Sequence, residues 1–231
     1  MTVFERSVEL YDLIYSDKDY EGEATWIRDA VRKRCPNART LLDVACGTGR
    51  HLAALQISFA SEGVDSSPEF VNLARERTGA PVHQGDMDCL DLGKQFDAVI
   101  CMFSSIGYST NLNDAIFSMA RHLYPGGVLI VEPWFTADQW MTGSLQVLVR
   151  EADGLRVIRM SSSSVEGSVS VMEMHHLVGT PSTIEHFVET HRMTLFSFDE
   201  YESAFRRAGL SYELAQPGPS GRGALIGQTP K

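Results

Sequence analysis

At 231 residues, with 43% hydrophobic and 22% charged, the chain is long enough to bury roughly 70% of its unfolded surface, and its composition is that of a soluble globular protein. Thirty acidic against 20 basic residues give a formal charge of -10, which repels nucleic acid and anionic membrane surfaces at long range and leaves a small-molecule partner as the expectation. The four cysteines, Cys35, Cys46, Cys89 and Cys101, form no C-x-x-C pair and read as reduced thiols, so neither a disulfide framework nor a metal site is expected.

The opening stretch, "MTVFERSVELYDLIY", sets Glu5, Arg6 and Glu9 within its apolar pattern. It lacks the hydrophobic region of a secretory signal, and no run approaches the roughly 18 apolar residues of a membrane helix, so a cytoplasmic protein is expected. Two helical patterns, "ERSVELYDLIY" and "EGEATWIRDAVRKR", the second stopped by Pro36, are predicted to pack outside the first strand.

From there to residue 135, strand-like runs alternate with helix-period stretches, the signature of a parallel sheet with crossover helices. Strands are predicted at 40–45, within 57–65, and at 81–86, 96–103 and 128–133, with helices at about 48–56, 68–77 and 112–124. From 136 to 195 the helix signals vanish, and short runs alternate around turn pairs such as Asp153-Gly154 and Glu166-Gly167. This segment is predicted to be an inserted antiparallel sheet. The remainder, "SFDEYESAFRRAGL" and then "SYELAQ" and "GALIGQ" around "PGPSGRG", reads as a helix and two strands that complete the α/β core, giving 1–135 plus 196–231 as core and 136–195 as insertion.

The first strand runs into "DVACGTGRH". A dinucleotide site wants a third glycine three residues after Gly49, where Leu52 stands instead. Asp65 follows Gly47 by 18 residues and Asp86 follows Asp65 by 21, each at a predicted strand end. Strand C-termini of a doubly wound sheet face one crevice, so the three sites converge on one ligand. Asp65 is placed to accept the two hydroxyls of a ribose, Asp86 and Met87 to meet an adenine, and the glycine loop to admit a small zwitterionic tail.

With these motifs the sequence resembles the class I S-adenosylmethionine-dependent methyltransferases. The resemblance implies a Rossmann-like sheet of seven mostly parallel strands, with Tyr20, Ala45, Gly47, Gly49, Asp65, Ser66, Asp86, Met87 and Met102 as cofactor-binding residues. The stretches "YDLIY", "KDY", "LLDVACGTG", "HQGDM", "MFSSIGY", "HLYPGG", "VEPWF", "MTLF" and "GPSGRG" are further similar to the N-methyltransferases of nucleotide-linked (dTDP) amino-deoxysugars in antibiotic biosynthesis. That resemblance implies a nucleotide-sugar acceptor and a homodimer.

Methylating an amine requires its lone pair. An alkyl ammonium with a pKa of about 10.4 offers the neutral form in only about one molecule in 10³ at pH 7. The resemblance assigns His122, read as the last turn of a helix, to the acceptor as base or positioning group; a helix-dipole partner is the other reading. Tyr15 and Tyr20 are assigned as a lid over the methionine end, Tyr15 with a catalytic share. For the acceptor's diphosphate it points to Ser220, Gly221 and Arg222, against the plain reading of "GPSGRG" as a hairpin turn. Trp134 and His176 are further acceptor-side candidates. A methyltransferase for another small amine or acid, and a non-catalytic S-adenosylmethionine-binding scaffold, remain open at this stage.

Overall fold

The computed structural model describes residues 6–231, so Glu5 and the start of the first helical pattern lie outside the described residues. The described chain forms two compact units: one joins residues 19–135 to 196–231, and the other joins the N-terminal segment through Lys18 to residues 136–195.

The first unit is built on a seven-stranded sheet. Its strands are β1 (Thr40–Val44), β2 (Ala60–Asp65), β3 (Val82–Gln84), β4 (Phe96–Cys101), β5 (Leu123–Val131), β10 (Glu213–Ala215) and β11 (Ala224–Gln228), in the spatial order β10-β11-β5-β4-β1-β2-β3. Pairings are parallel from β5 through β3, and β11 runs antiparallel between β5 and β10. The crossover helices are α3 (Arg50–Leu55), α4 (Pro68–Thr78) and α5 (Leu112–Ala120), joined by α2 (Tyr20–Arg34) and α6 (Phe198–Arg207). Central strands such as β1 and β4 are buried along nearly their whole length, as a sheet covered on both faces demands, which is why they read as continuous apolar runs rather than alternating ones. One layer packs Ile116, Met119, Tyr201 and Phe205 on one face, and another packs Ile27, Val31, Leu41 and Leu55 on the other.

The second unit is the four-stranded antiparallel sheet β6 (Leu145–Ala152), β7 (Leu155–Glu166), β8 (Val169–Gly179) and β9 (Ile184–Thr194), in sequential order. Its first hairpin turns at Asp153 and Gly154, both at positive φ (52° and 78°), the twist a two-residue connection between antiparallel strands requires. The N-terminal segment belongs to this unit and not to the core as the sequence suggested. Leu10 and Ile14 of the short helical stretch ending in α1 (Tyr11–Ile14) bury against Val157 and Phe187. A carboxylate oxygen of Glu189 accepts the backbone N–H groups of Arg6 and Ser7, at 3.1 and 3.0 Å. Four apolar side chains and two backbone bonds tie this segment to the inserted sheet; only α2 packs beside the first strand as expected.

Two boundaries also move. Helix α5 ends at Ala120 rather than near 124, and β5 starts at Leu123, crossing Pro125 and two glycines through a shift in its register with β4. Both changes bear on His122. Among the described residues no helix is long and apolar enough to cross a membrane.

Candidate active site

The C-terminal ends of β1, β2, β4 and β5 carry the polar groups of the seven-stranded unit. After β1 the backbone turns sharply: Ala45, Gly47 and Gly49 all have positive φ, at 59°, 55° and 77°. Gly49 is fixed by sterics as well as by φ, because a Cβ there would lie 3.0 Å from the Cα and Cβ of Ala74 on α4. The loop is held from behind by a buried pair, His51 Nε2 to Glu23 Oε2 at 2.7 Å, linking α3 to α2. Tyr20 opens α2 beside it, its ring edge-on to His51 at 4.9 Å, with the Arg50 guanidinium 5.4 Å away.

Asp65, at the end of β2, is 7% exposed. One of its oxygens accepts the Gly47 N–H at 2.8 Å and the other the Ser67 N–H at 3.0 Å. Burial pushes its carboxyl up from the ordinary value, against those amide bonds. Asp43, two residues before the loop and 1% exposed, is pushed up to about 8 by burial and then by the Asp65 charge, and its Oδ2 has no hydrogen-bond partner. The sequence reading passed over Asp43, although it stands in the quoted motif. Asp86 is exposed and Met87 half-buried after β3, Ser66 is exposed after β2, and Met102 is buried after β4.

A second assembly lies after β4 and β5. Phe103 and Ser104 take left-handed backbone (φ 54° and 60°), a cost borne where surrounding contacts hold it. Glu132, wholly buried just beyond β5, supplies those contacts: Oε2 accepts the Phe103 N–H at 2.8 Å, and Oε1 accepts from Arg222 at 2.7 Å and from the Ser220 hydroxyl. The Ser104 hydroxyl donates to the Pro133 carbonyl at 2.7 Å. Three segments far apart in sequence thus meet on one carboxylate. Glu132 was missed as a site residue; its signal was an acidic residue ending an apolar strand in "VEPW". Tyr108, on the 3-10 turn Ser105–Tyr108 that this assembly supports, was likewise not singled out.

The acceptor-side assignments need correction. His122 is 1% exposed, outside α5 and at the starting end of β5, the edge of the sheet opposite the glycine loop. Its Nδ1 donates to the Ser118 carbonyl at 2.6 Å and its Nε2 accepts the Leu92 N–H at 2.9 Å. With both nitrogens held by backbone, the imidazole is not a base; it donates to a last-turn carbonyl of α5 and ties a loop to that helix end, in line with the helix-end reading rather than the acceptor one. Arg222 is not a free cation either, since Glu132 matches its charge and Ser220 is drawn to the same oxygen. The "GPSGRG" loop folds on itself, Gly223 N–H to Pro217 carbonyl at 2.7 Å. Trp134 is half-buried beside Phe135, ring centroids 4.8 Å apart. Tyr15 and His176 lie in the second unit, where Tyr15 accepts a hydrogen bond from Arg159 at 3.1 Å.

A left-handed glycine turn, a buried carboxylate bonded to that turn at the next strand end, and an orphaned carboxyl oxygen of Asp43 beneath them fit a ligand with ribose hydroxyls and a cationic amino-acid tail. With the strand order and the antiparallel β11, they define a class I S-adenosylmethionine-dependent methyltransferase. Residues 41–127 match the methyltransferase domain family. The chain is 45% identical over 227 residues to the dTDP-3-amino-3,6-dideoxy-alpha-D-glucopyranose N,N-dimethyltransferase of Streptomyces fradiae, covering 95% of this chain and 89% of that one. The crystal structure of Streptomyces venezuelae DesVI superposes with a TM-score of 0.92 at 44% identity, covering 96% and 98% of the two chains. An S-adenosylmethionine-bound amino pentose methyltransferase from Micromonospora echinaspora, involved in calicheamicin biosynthesis, does so at 0.87 and 35%, covering 95% and 96%. The chain belongs to the family of S-adenosylmethionine-dependent amino-sugar N-methyltransferases.

Proposed function

We propose that this protein transfers methyl groups to the amino group of a dTDP-linked 3-amino-deoxysugar, twice in succession, to give the N,N-dimethylamino sugar. The observation that carries this reading is the identity with the Streptomyces fradiae dimethyltransferase, which runs through 95% of the chain and so includes the acceptor side as well as the cofactor loop. When bound, S-adenosylmethionine supplies an electrophilic methyl on a sulfonium; the C–N bond forms from the amine lone pair as the C–S bond breaks, and the amine then loses a proton.

The chain's own residues prepare that step. Asp65 receives the ribose hydroxyls, Asp86 and Met87 flank the adenine, Asp43 faces the cationic tail, and Tyr20, Ala45, Gly47, Gly49, Ser66 and Met102 shape the remaining wall. Glu132 holds Phe103, Ser104 and the 216–223 loop as a fixed acceptor-side rim, with Trp134 beside it. With His122 removed from the reaction, catalysis rests on holding a neutral amine in line with the methyl, and positioning of that kind supplies roughly 7 to 11 kcal/mol. The proton leaves to solvent between the two transfers.

The protein works as a cytoplasmic homodimer. The outward face of the four-stranded sheet exposes Val147, Val149, Met160, Leu177, Ile184 and Val188, each more than 40% accessible. They alternate with the buried positions of the same strands, so all four strands put apolar side chains on one face, with His175 and His186 set among them. A band of that extent on a monomer marks an interface, and a second copy supplies the same band in return.

The deciding assay incubates the protein with labelled S-adenosylmethionine and dTDP-linked 3-amino- and 4-amino-deoxysugars. Sequential gain of one and two methyl groups on the 3-amino substrate is expected; turnover confined to other small amines refutes the reading. Light scattering of the wild type against Leu177→Lys, expected to change from dimer to monomer, tests the assembly.

A further inference from the structure

The glycine turn that opens the cofactor crevice is backed by two ionisable groups that methyl transfer itself does not use. Glu23 and His51 are 6% and 7% exposed, and Nε2 of the histidine lies 2.7 Å from Oε2 of the glutamate. A carboxylate only accepts, so the ring donates through Nε2. A buried pair of this kind adds little net stability over apolar side chains of similar volume, because desolvation offsets the attraction. Its particular capacity is to impose one geometry.

That geometry runs through both helices. Helix α2 starts where the Asp19 carboxylate accepts the Gly22 N–H at 2.9 Å, and a Cβ at Gly22 would collide with the same carboxylate. With the start fixed, Tyr20 and Glu23, three residues apart, lie on one side of α2. Helix α3 begins directly after Gly49, so its first two residues, Arg50 and His51, are placed by the turn itself. The Arg50 guanidinium lies 5.4 Å from the centroid of the Tyr20 ring, and the His51 ring meets that ring at 4.9 Å and 67°. His51 therefore touches both side chains of α2, Glu23 through its nitrogen and Tyr20 through its ring. The bond to Glu23 sets the plane of the imidazole, and that plane limits where the Tyr20 ring can lie.

We propose that Glu23 and His51 are positioning residues for the cofactor: the pair orients the imidazole, and the imidazole together with Arg50 holds Tyr20 beside the glycine turn before S-adenosylmethionine arrives. This rests on the reading of Tyr20 as part of the cofactor wall. A wall ordered in advance spares the ligand the cost of ordering it, so cofactor affinity depends on two side chains that act through a third.

Calorimetric titration of S-adenosylmethionine into the full-length protein reads the effect, with the melting temperature measured alongside. Glu23→Leu/His51→Leu, which exchanges the pair for apolar side chains, is expected to melt within about 3 °C of wild type and to bind the cofactor about tenfold more weakly. Glu23→Gln keeps an acceptor for Nε2 and is expected to stay within about threefold of wild type. Tyr20→Ala is expected to lose about tenfold, and adding the paired replacement to it less than about twofold more, since residues that act through one another are not additive. A paired replacement that binds as wild type does, or that adds its full loss to that of Tyr20→Ala, overturns the proposal and leaves Tyr20 in the wall. A paired replacement that melts far below wild type assigns Glu23 and His51 to stability alone and overturns it as well. Unchanged affinity in Tyr20→Ala overturns the proposal and the reading of Tyr20 together.

Discussion

Asp65 and His122 are both buried and both hydrogen-bonded to backbone, yet they lie at opposite ends of the sheet and have opposite consequences. Asp65 accepts two amides that order the glycine turn and keeps lone pairs for a ligand. Charge-assisted bonds of this kind are worth about 1.5–3 kcal/mol each, so Asp65→Ala should weaken S-adenosylmethionine binding at least tenfold by calorimetry. His122 makes its bonds to Ser118 and Leu92 instead. His122→Asn should leave kcat and its pH profile within about threefold while lowering stability by about 1–3 kcal/mol in urea unfolding, the cost of stranding a buried backbone group. The sequence made Asp65 legible because its position is set by strand spacing alone. It misplaced His122 because the helix before it stops two residues short, and resemblance cannot say at which end of a sheet a residue emerges.

At the scale of elements, the parallel core was readable from its periods, since fully buried strands and amphipathic crossover helices each leave their own pattern. Helix α6 also declares its start: Ser197 accepts the Glu200 N–H while the Glu200 carboxylate accepts the Ser197 N–H, a reciprocal cap written as S-x-x-E in the chain. Ser197→Ala should cost about 1 kcal/mol, read as a lowered melting temperature. Long-range closures were not readable. Glu132 gathers Phe103, Ser220 and Arg222 across as many as 90 residues, and the Glu189 carboxylate takes amides from Arg6 and Ser7 more than 180 residues away. No local period announces such bonds, which is why the N-terminal segment was assigned to the wrong unit and Glu132 to none.

The two units respond to acid in opposite senses. His176 in the four-stranded unit has its folded pKa drawn down to about 4 from 6.5 by burial, so the stability it contributes is present above 6.5 and is lost as pH falls toward 4. Glu189, lowered to about 2 by its hydrogen bonds despite burial, holds until still lower pH. Asp43 in the seven-stranded unit is raised to about 8, so its cost to the folded state is relieved as pH falls below 8. Hydrogen exchange at pH 7 and at pH 4.5, corrected for intrinsic rates, should show protection lost in β8 and β9 and not in β1 and β4; uniform loss would contradict this assignment. The order of the strands has a separate consequence for biosynthesis. Strand β11 fills the place between β5 and β10, yet it is made after the whole of the inserted sheet. On the ribosome, then, β5 waits with an open edge through the whole synthesis of the inserted sheet. Its closure comes late in translation, and a chain that stops before Ala224 keeps a sheet edge that pairs with neighbours rather than with itself.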